Sequence, residues 1–431
     1  LSGWSNAKWR GRCGRPLDRS EDEEQHMVLT DASQRRKALG LAFTCFVAVG
    51  INSGLLGVAW PSIRGSFGLP LDAVVFLLIA STIGFTAGSI LAGQLMSRLG
   101  LLLFLALANA VAAVGLFTQA SAPGWSLMVA AALLGGWGSG TIDTGSNIYV
   151  AGSHSVKTMN WMHASFGLGA TLGPLIVTAL IGLGLSWRYG YVFVGVIHVA
   201  LAVVAVLMAR SVRIANSALR VAPQPDRILT RARVAETLRM PAVWLGILLF
   251  FLYTGVEASA GQWTYTLFTE SRMLSPYAAG ILTSIFWAML TIGRIFLGAG
   301  AKRIGIERLL RLSMIGTVMA AALILFRSIP VGFVGVALMG LSLSAIFPTL
   351  QSDTPARVGL VHAATTIGYQ TGSAAVGFAV LPGVAGVLGE QRGLESIALF
   401  LFATSVVMLV VNELAVWTAR RTVKLAPEPL P

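Results

Sequence analysis

The chain has 431 residues, of which 55% are hydrophobic and only 11% charged, with a mean hydropathy of +0.76. Soluble globular domains carry about 25% charged residues, so this balance excludes a soluble protein and points to a polytopic membrane protein. The net charge of +13 is spread over short loops between apolar runs, which argues against nucleic acid as a partner, and two cysteines (Cys13 and Cys45) frame neither a disulfide scaffold nor a metal site.

Residues 1–37 are polar, charged and without a signal-peptide core, and read as a cytoplasmic tail. Met27 begins "MVLTDASQRRK", which has the look of a natural start, so residues 1–26 are expected to lie upstream of it; a disordered tail is the alternative. Twelve apolar runs follow, near 38–60, 72–96, 99–120, 125–150, 160–184, 187–210, 241–268, 276–301, 305–328, 330–352, 358–388 and 393–419. They are continuous and long enough to cross a bilayer as helices, whereas barrel strands would alternate in segments of about ten. The polar stretch 211–240, with the breaker run "APQPD", divides them six and six. The expected organisation is therefore an N-terminal six-helix bundle (38–210), a basic cytoplasmic linker (211–240), a C-terminal six-helix bundle (241–419) and a tail (420–431). With residues 1–26 left out, twenty lysines and arginines fall on the side of the termini and five on the other: Arg64, Arg188, Arg272, Arg327 and Arg392. The positive-inside rule then puts both termini in the cytoplasm, with the basic face toward anionic lipid.

The halves echo each other. "GSILAGQLMSRLG" (88–100) matches "GRIFLGAGAKRIG" (293–305) at an offset of 205, pairing Gly93 with Gly298, Arg98 with Arg303 and Gly100 with Gly305. "HASFGLGATLG" (163–173) matches "HAATTIGYQTG" (362–372). Parallel half-length repeats are one form of transporter architecture. The first echo resembles the G-x-L-x-D-R-x-G loop of the major facilitator superfamily, with Ser97 and Lys302 where the pattern has Asp. That resemblance implies an all-α membrane protein with twelve transmembrane helices in two pseudo-symmetric six-helix bundles. It also gives Gly93, Arg98, Gly100, Gly298, Arg303 and Gly305 a structural or gating role.

Ionisable residues inside spans mark function by default. Asp143 and Asn147 stand one turn apart in "GGWGSGTIDTGSN", among glycines expected to leave space around the carboxylate. An Asp in a cavity open alternately to two sides could carry a proton; a helix-stapling role is the alternative. Glu257, Gln262 and Trp263 in "YTGVEASAGQW" form a plausible polyol surface, with gating or packing as the alternative. Arg294 reads as structural, near enough to the inner end of its span to snorkel to the interface, with a salt bridge to a facing helix as the alternative. His163, His198, His362 and Glu413 complete the set, while Asn52, Gln351, Tyr369 and Gln370 lie at cavity depth. No phosphate loop, metal cluster or nucleophile–base pair is present, so no enzyme is expected.

"IDTGSN" (142–147) resembles the L-E-T-x-x-N segment of the fucose permease family, the fucose–galactose–glucose:proton symporters. "NWMHASFGLGATLG" (160–173) is similar to that family's next helix, with His163 in place of a sugar-binding Gln, and Asn52 stands where the family has a functional Asp. The resemblance implies secondary active transport by proton-coupled symport of a sugar or similar polar solute. Proton coupling would fall to Asp143 and Glu257, and solute binding to Asn52, Asn147, His163, Gln262, Trp263, Gln351, Tyr369 and Gln370. A proton-driven exporter of amphipathic compounds on the same fold is the alternative, and a non-transporting receptor a third. No cofactor is expected beyond the proton gradient, with Na+ as the alternative ion. The expected setting is a monomer in the plasma (inner) membrane, with a small-molecule solute as partner.

Overall fold

The computed structural model describes residues 21–212 and 234–424, and within these the side chains of 33–211 and 234–418 apart from residues 156 and 298–303. Most of the 211–240 linker and the ends of both tails therefore lie outside the described residues. The regular structure described is helical throughout: α1 (Glu21–Phe67), α2 (Val74–Ser121), α3 (Trp125–Ser153), α4 (Val156–Gly182), α5 (Arg188–Val212), α6 (Val234–Leu238), α7 (Pro241–Thr266), α8 (Pro276–Ile304), α9 (Ile306–Leu325), α10 (Ile329–Leu343), α11 (Ile346–Val358), α12 (Leu360–Arg392) and α13 (Glu395–Lys424).

Eleven stretches are long and apolar enough to cross a membrane, and one of them, Leu71–Ser121, is 51 residues long. It is two spans, because Gly100 inside α2 has φ 72 and ψ 161, a conformation that breaks the helix and turns the chain back. The total is thus twelve. Gly305 between α8 and α9 has φ 86 and ψ 141, so the two glycines paired by the sequence repeat make the same turn in the two halves. The tenth span is broken at Ser344–Ala345 into α10 and α11. α1 begins at Glu21, so helix runs through 21–37, the later part of the expected polar tail; its Glu, Gln, Ala, Lys and Arg residues are good helix formers. At the other boundary, α6 docks the end of the linker by a 2.9 Å bond between Thr237 Oγ1 and His362 Nδ1.

Within the first bundle α1 packs on α4 and α2 on α3 and α5; within the second α7 packs on α12 and α10 on α8 and α9. The bundles meet along α4–α8, α2–α12 and α1–α7. In the antiparallel α4–α8 seam, a Cβ on Gly167 would come within 2.2 Å of Thr291 Oγ1, and one on Gly280 within 1.8 Å of Thr178 Oγ1. Each helix contributes one glycine and one threonine, 11 residues apart on both.

The end of the molecule away from the termini (the distal end) is closed. Arg64 at the end of α1 pairs with Glu270 at 2.8 Å, and the Leu71 N–H donates to Glu390 at 2.7 Å. These are the hydrogen-bonded links between the bundles among the described residues. On α12, a Cβ on Gly383 or Gly386 would strike Val75 or Trp263, whereas Gly368 and Gly372 have nothing within 4 Å. Gly368 and Gly386 are about five helical turns apart and share a face. That face is packed distally and open toward the termini.

Candidate functional site

Asp143 lies on α3, ten residues from its proximal end, and is half-buried. Asn147 Nδ2 donates to Asp143 Oδ2 at 3.3 Å, as the one-turn spacing predicts. Among the described residues Asp143 has no cationic partner. The neighbouring glycines do not clear space, contrary to expectation. A Cβ on Gly136 would come within 2.0 Å of the Ser81 carbonyl, on Gly140 within 2.1 Å of the Phe85 carbonyl, and on Gly145 within 2.0 Å of the Phe104 ring. They let α3 press onto α2, the small-residue packing that membrane helices use for want of a hydrophobic driving force. Gly84 and Gly88 answer from α2 against Leu133 and Trp137.

Glu257 sits midway along α7. Tyr253, one turn earlier, donates its phenol to Glu257 Oε2. Arg294 of α8 reaches the same carboxylate, with Nη2 at 3.2 Å from Oε2 and 3.5 Å from Oε1. Arg294 is therefore a bridge to a facing helix rather than a snorkelling residue. The pair is only 23% and 12% exposed, so its charges offset each other in a site where neither alone would be tolerated. His163 of α4 packs edge-on against Phe46 at 5.6 Å between centroids and lies within the electrostatic reach of Arg294 across the seam. α4, which carries His163, and α8, which carries Arg294, pack on each other across the seam between the bundles. No hydrogen bond or ion pair joins Asp143 to this group.

Two residues expected at the site are elsewhere. Trp263 is fully buried, and its Nε1–H donates to the Pro382 carbonyl of α12 at 2.9 Å. The ring packs on Gly386, so it ties α7 to α12 and is no open stacking platform. Gln370 is 4% exposed and accepts from Thr354 Oγ1 at 3.0 Å, which binds α12 to α11. Gln262 is buried and its Nε2 has no partner. Asn52 and Gln351 are half-buried, and Tyr369 is 41% exposed on the proximal part of α12. Arg98 is exposed and Gly93 faces open space, whereas Gly298 and Arg303 fall among side chains outside the described set. His198 bonds Asn109 Oδ1 through Nδ1 at 2.8 Å inside the first bundle, and Glu413 pairs with Arg311 at 2.7 Å. Tyr253 was missed, although its spacing of four from Glu257 was a legible signal. Trp287, a buried indole without a partner on α8, was also missed.

The profile of the Major Facilitator Superfamily matches residues 42–374. The chain belongs to this superfamily. Among curated relatives of this superfamily member is the "Glucose/mannose transporter GlcP" of Bacillus subtilis, 24% identical over 319 residues, covering 72% of this chain and 77% of that one. Another is the human "Sodium-dependent glucose transporter 1", 22% identical over 382 residues, with 80% and 72% covered. The fold matches an inward-facing, unoccupied bacterial homologue of the lysosomal transporter Spinster (TM-score 0.72, 15% identity, 92% of this chain and 99% of that one). It also matches FucP in its outward conformation (TM-score 0.59, 15% identity, 88% and 98% covered). The protein is thus a multi-pass membrane transporter of the superfamily, and its relatives move solutes rather than transform them.

Proposed function

We propose that the protein is a proton-coupled symporter of a hexose or closely similar neutral polyol. The observation that carries this reading is the contrast between its two intramembrane carboxylates. Glu257 is held by Arg294 and Tyr253 and so stays paired. Asp143 has an amide for its partner and, among the described residues, no cation, and it is partly exposed. A carboxylate in such a setting exchanges a proton without leaving an orphaned cation behind. Asp143 is therefore the proton carrier in this reading. Glu257, Arg294 and His163 span the seam between the bundles and couple solute to closure, narrowing the expectation that Glu257 also carries the proton. Asn147, Asn52, Gln262, Gln351 and Tyr369 remain candidate solute contacts. The names of the glucose-transporting relatives support a hexose, and one of them keeps Na+ as the rival ion.

The excess of basic residues at the proximal end supports cytoplasmic termini. The open end then faces the cytoplasm, as it would after solute and proton are released inward. A monomer in the plasma membrane, with anionic lipid along the basic face, completes the reading.

The test is glucose uptake into proteoliposomes under imposed pH or Na+ gradients. Wild type should accumulate glucose with a pH gradient alone. Asp143→Asn should lose that accumulation while still exchanging labelled for unlabelled glucose at equilibrium. Undiminished pH-driven accumulation by Asp143→Asn would remove Asp143 from the coupling role, and accumulation driven by Na+ alone would replace the proton.

A further inference from the structure

The distal halves of α7 and α8 hold polar groups that nothing in the closed state satisfies. Ser259, Gln262 and Thr266 form one stripe along α7 at spacings of three and four, and Ser284 and Trp287 lie one turn apart on α8. All five are nine-tenths buried or more. Among the described residues, Ser259 Oγ, Gln262 Nε2, Thr266 Oγ1, Ser284 Oγ and Trp287 Nε1 have no hydrogen-bond partner. Other hydroxyls on the same helices do find one: Thr254, Thr264, Thr283 and Thr291 each donate to the carbonyl four residues back. The orphaned groups are therefore not a general feature of these helices.

They gather where the bundles meet. A Cβ on Gly57 of α1 would come within 2.7 Å of the Gly261 carbonyl and 3.2 Å of Gln262 Cα. A Cβ on Gly261 would come within 2.6 Å of the Trp287 ring. Thr178 of α4, whose Oγ1 is also orphaned, lies against Gly280, one turn from Ser284. For packing alone, apolar side chains at 287 and 284 would fill the space without the cost of unmade hydrogen bonds. None of the orphaned groups is charged, and together they offer N–H donors and hydroxyls that both donate and accept.

We propose that Trp287 and Ser284 of α8, with Gln262 of α7, form a distal subsite for a neutral polyol. It is sealed here and bonded by solute hydroxyls when the Arg64–Glu270 end parts. This rests on the sugar reading above and adds to it a specificity: the subsite takes an uncharged, hydroxyl-bearing end of the solute and rejects a phosphorylated one. The charged group of Glu257 and Arg294 lies on the proximal side of it.

The experiment is uptake of D-glucose and its monodeoxy analogues by the full chain in liposomes, wild type beside Trp287→Phe. The variant should raise the KM for glucose by roughly fivefold to tenfold, the worth of one net hydrogen bond, with kcat within about twofold. For the one deoxy analogue that lacks the bonded hydroxyl, variant and wild type should have the same KM. An unchanged KM for every sugar, or an equal fall in kcat for all, overturns the subsite. A wild type that moves no hexose overturns the sugar reading itself. The second measurement does not depend on the solute. In a Cys13→Ser, Cys45→Ser background, Ser284→Cys should be alkylated by a polar thiol reagent from the distal side, faster when Glu270→Gln weakens the gate. Absence of labelling with either gate overturns the subsite whatever the solute.

Discussion

At the scale of single residues, the same side-chain chemistry serves opposite ends according to its neighbours. Trp263 and Trp287 are both buried indoles, yet one donates to the Pro382 carbonyl and the other has no acceptor. Trp263→Phe should therefore lower stability by about 1–3 kcal/mol, through the lost hydrogen bond and the cavity left by the smaller ring, and leave the KM for solute unchanged. Thermal unfolding in detergent beside uptake kinetics checks both parts. The carboxylates divide in the same way. Removing Arg294 strands Glu257, and breaking a buried pair from one side costs about 3–5 kcal/mol. With both side chains retaining some exposure, Arg294→Met should fall near the lower figure. Adding Glu257→Gln should recover much of the loss, and a double-mutant cycle on the unfolding midpoints measures it.

At the scale of elements, glycine does two distinct jobs. Those at 84, 88, 136 and 140 let α2 and α3 touch backbone to backbone, and any side chain there would push the helices apart. Gly100 and Gly305 have open space for a side chain but a backbone conformation that other residues rarely adopt. Gly100→Ala should thus cost about 1–3 kcal/mol through backbone strain alone, read as a lower thermal midpoint with no new steric clash. The repeat was legible in sequence because both halves need that turn at the same place. What the interior glycines touch was not legible, because a small residue in a helix is equally compatible with an open cavity and a close contact.

At the scale of the whole molecule, the α4–α8 and α2–α12 seams occupy equivalent places in the two halves, and the α1–α7 contact lies between them. Alternating access then requires the seams to rock while the distal links part. The Arg64–Glu270 pair is 25% and 30% exposed, so it is worth at most about 1 kcal/mol. Glu270→Gln should shift the population toward distal opening by no more than about fivefold, since a factor of ten needs about 1.4 kcal/mol. Distance distributions between spin labels on the distal loops check this. Such a weak latch suits a transporter, because a stronger one would trap a single state. Three of the five distal arginines are tied down: Arg64 to Glu270, Arg188 to the carbonyls of Ala120 and Ala122, and Arg272 to Glu395. Their role is structural, consistent with the basic excess at the other end as the topological signal.

The sequence by itself determined the class of molecule, the twelve spans, the repeat and the carboxylates to watch. Each of these follows from local rules: run length against bilayer thickness, the cost of charge in lipid, and the turn that a glycine permits. The Asp143–Asn147 pair was equally legible, because one helical turn decides it. Only the tertiary structure decided that Arg294 reaches Glu257, that Trp263 is a structural tie, and that Trp287 is buried without a partner. Those facts depend on how helices far apart in sequence are rotated against one another, and a helix's own period does not encode which neighbour its polar face will meet.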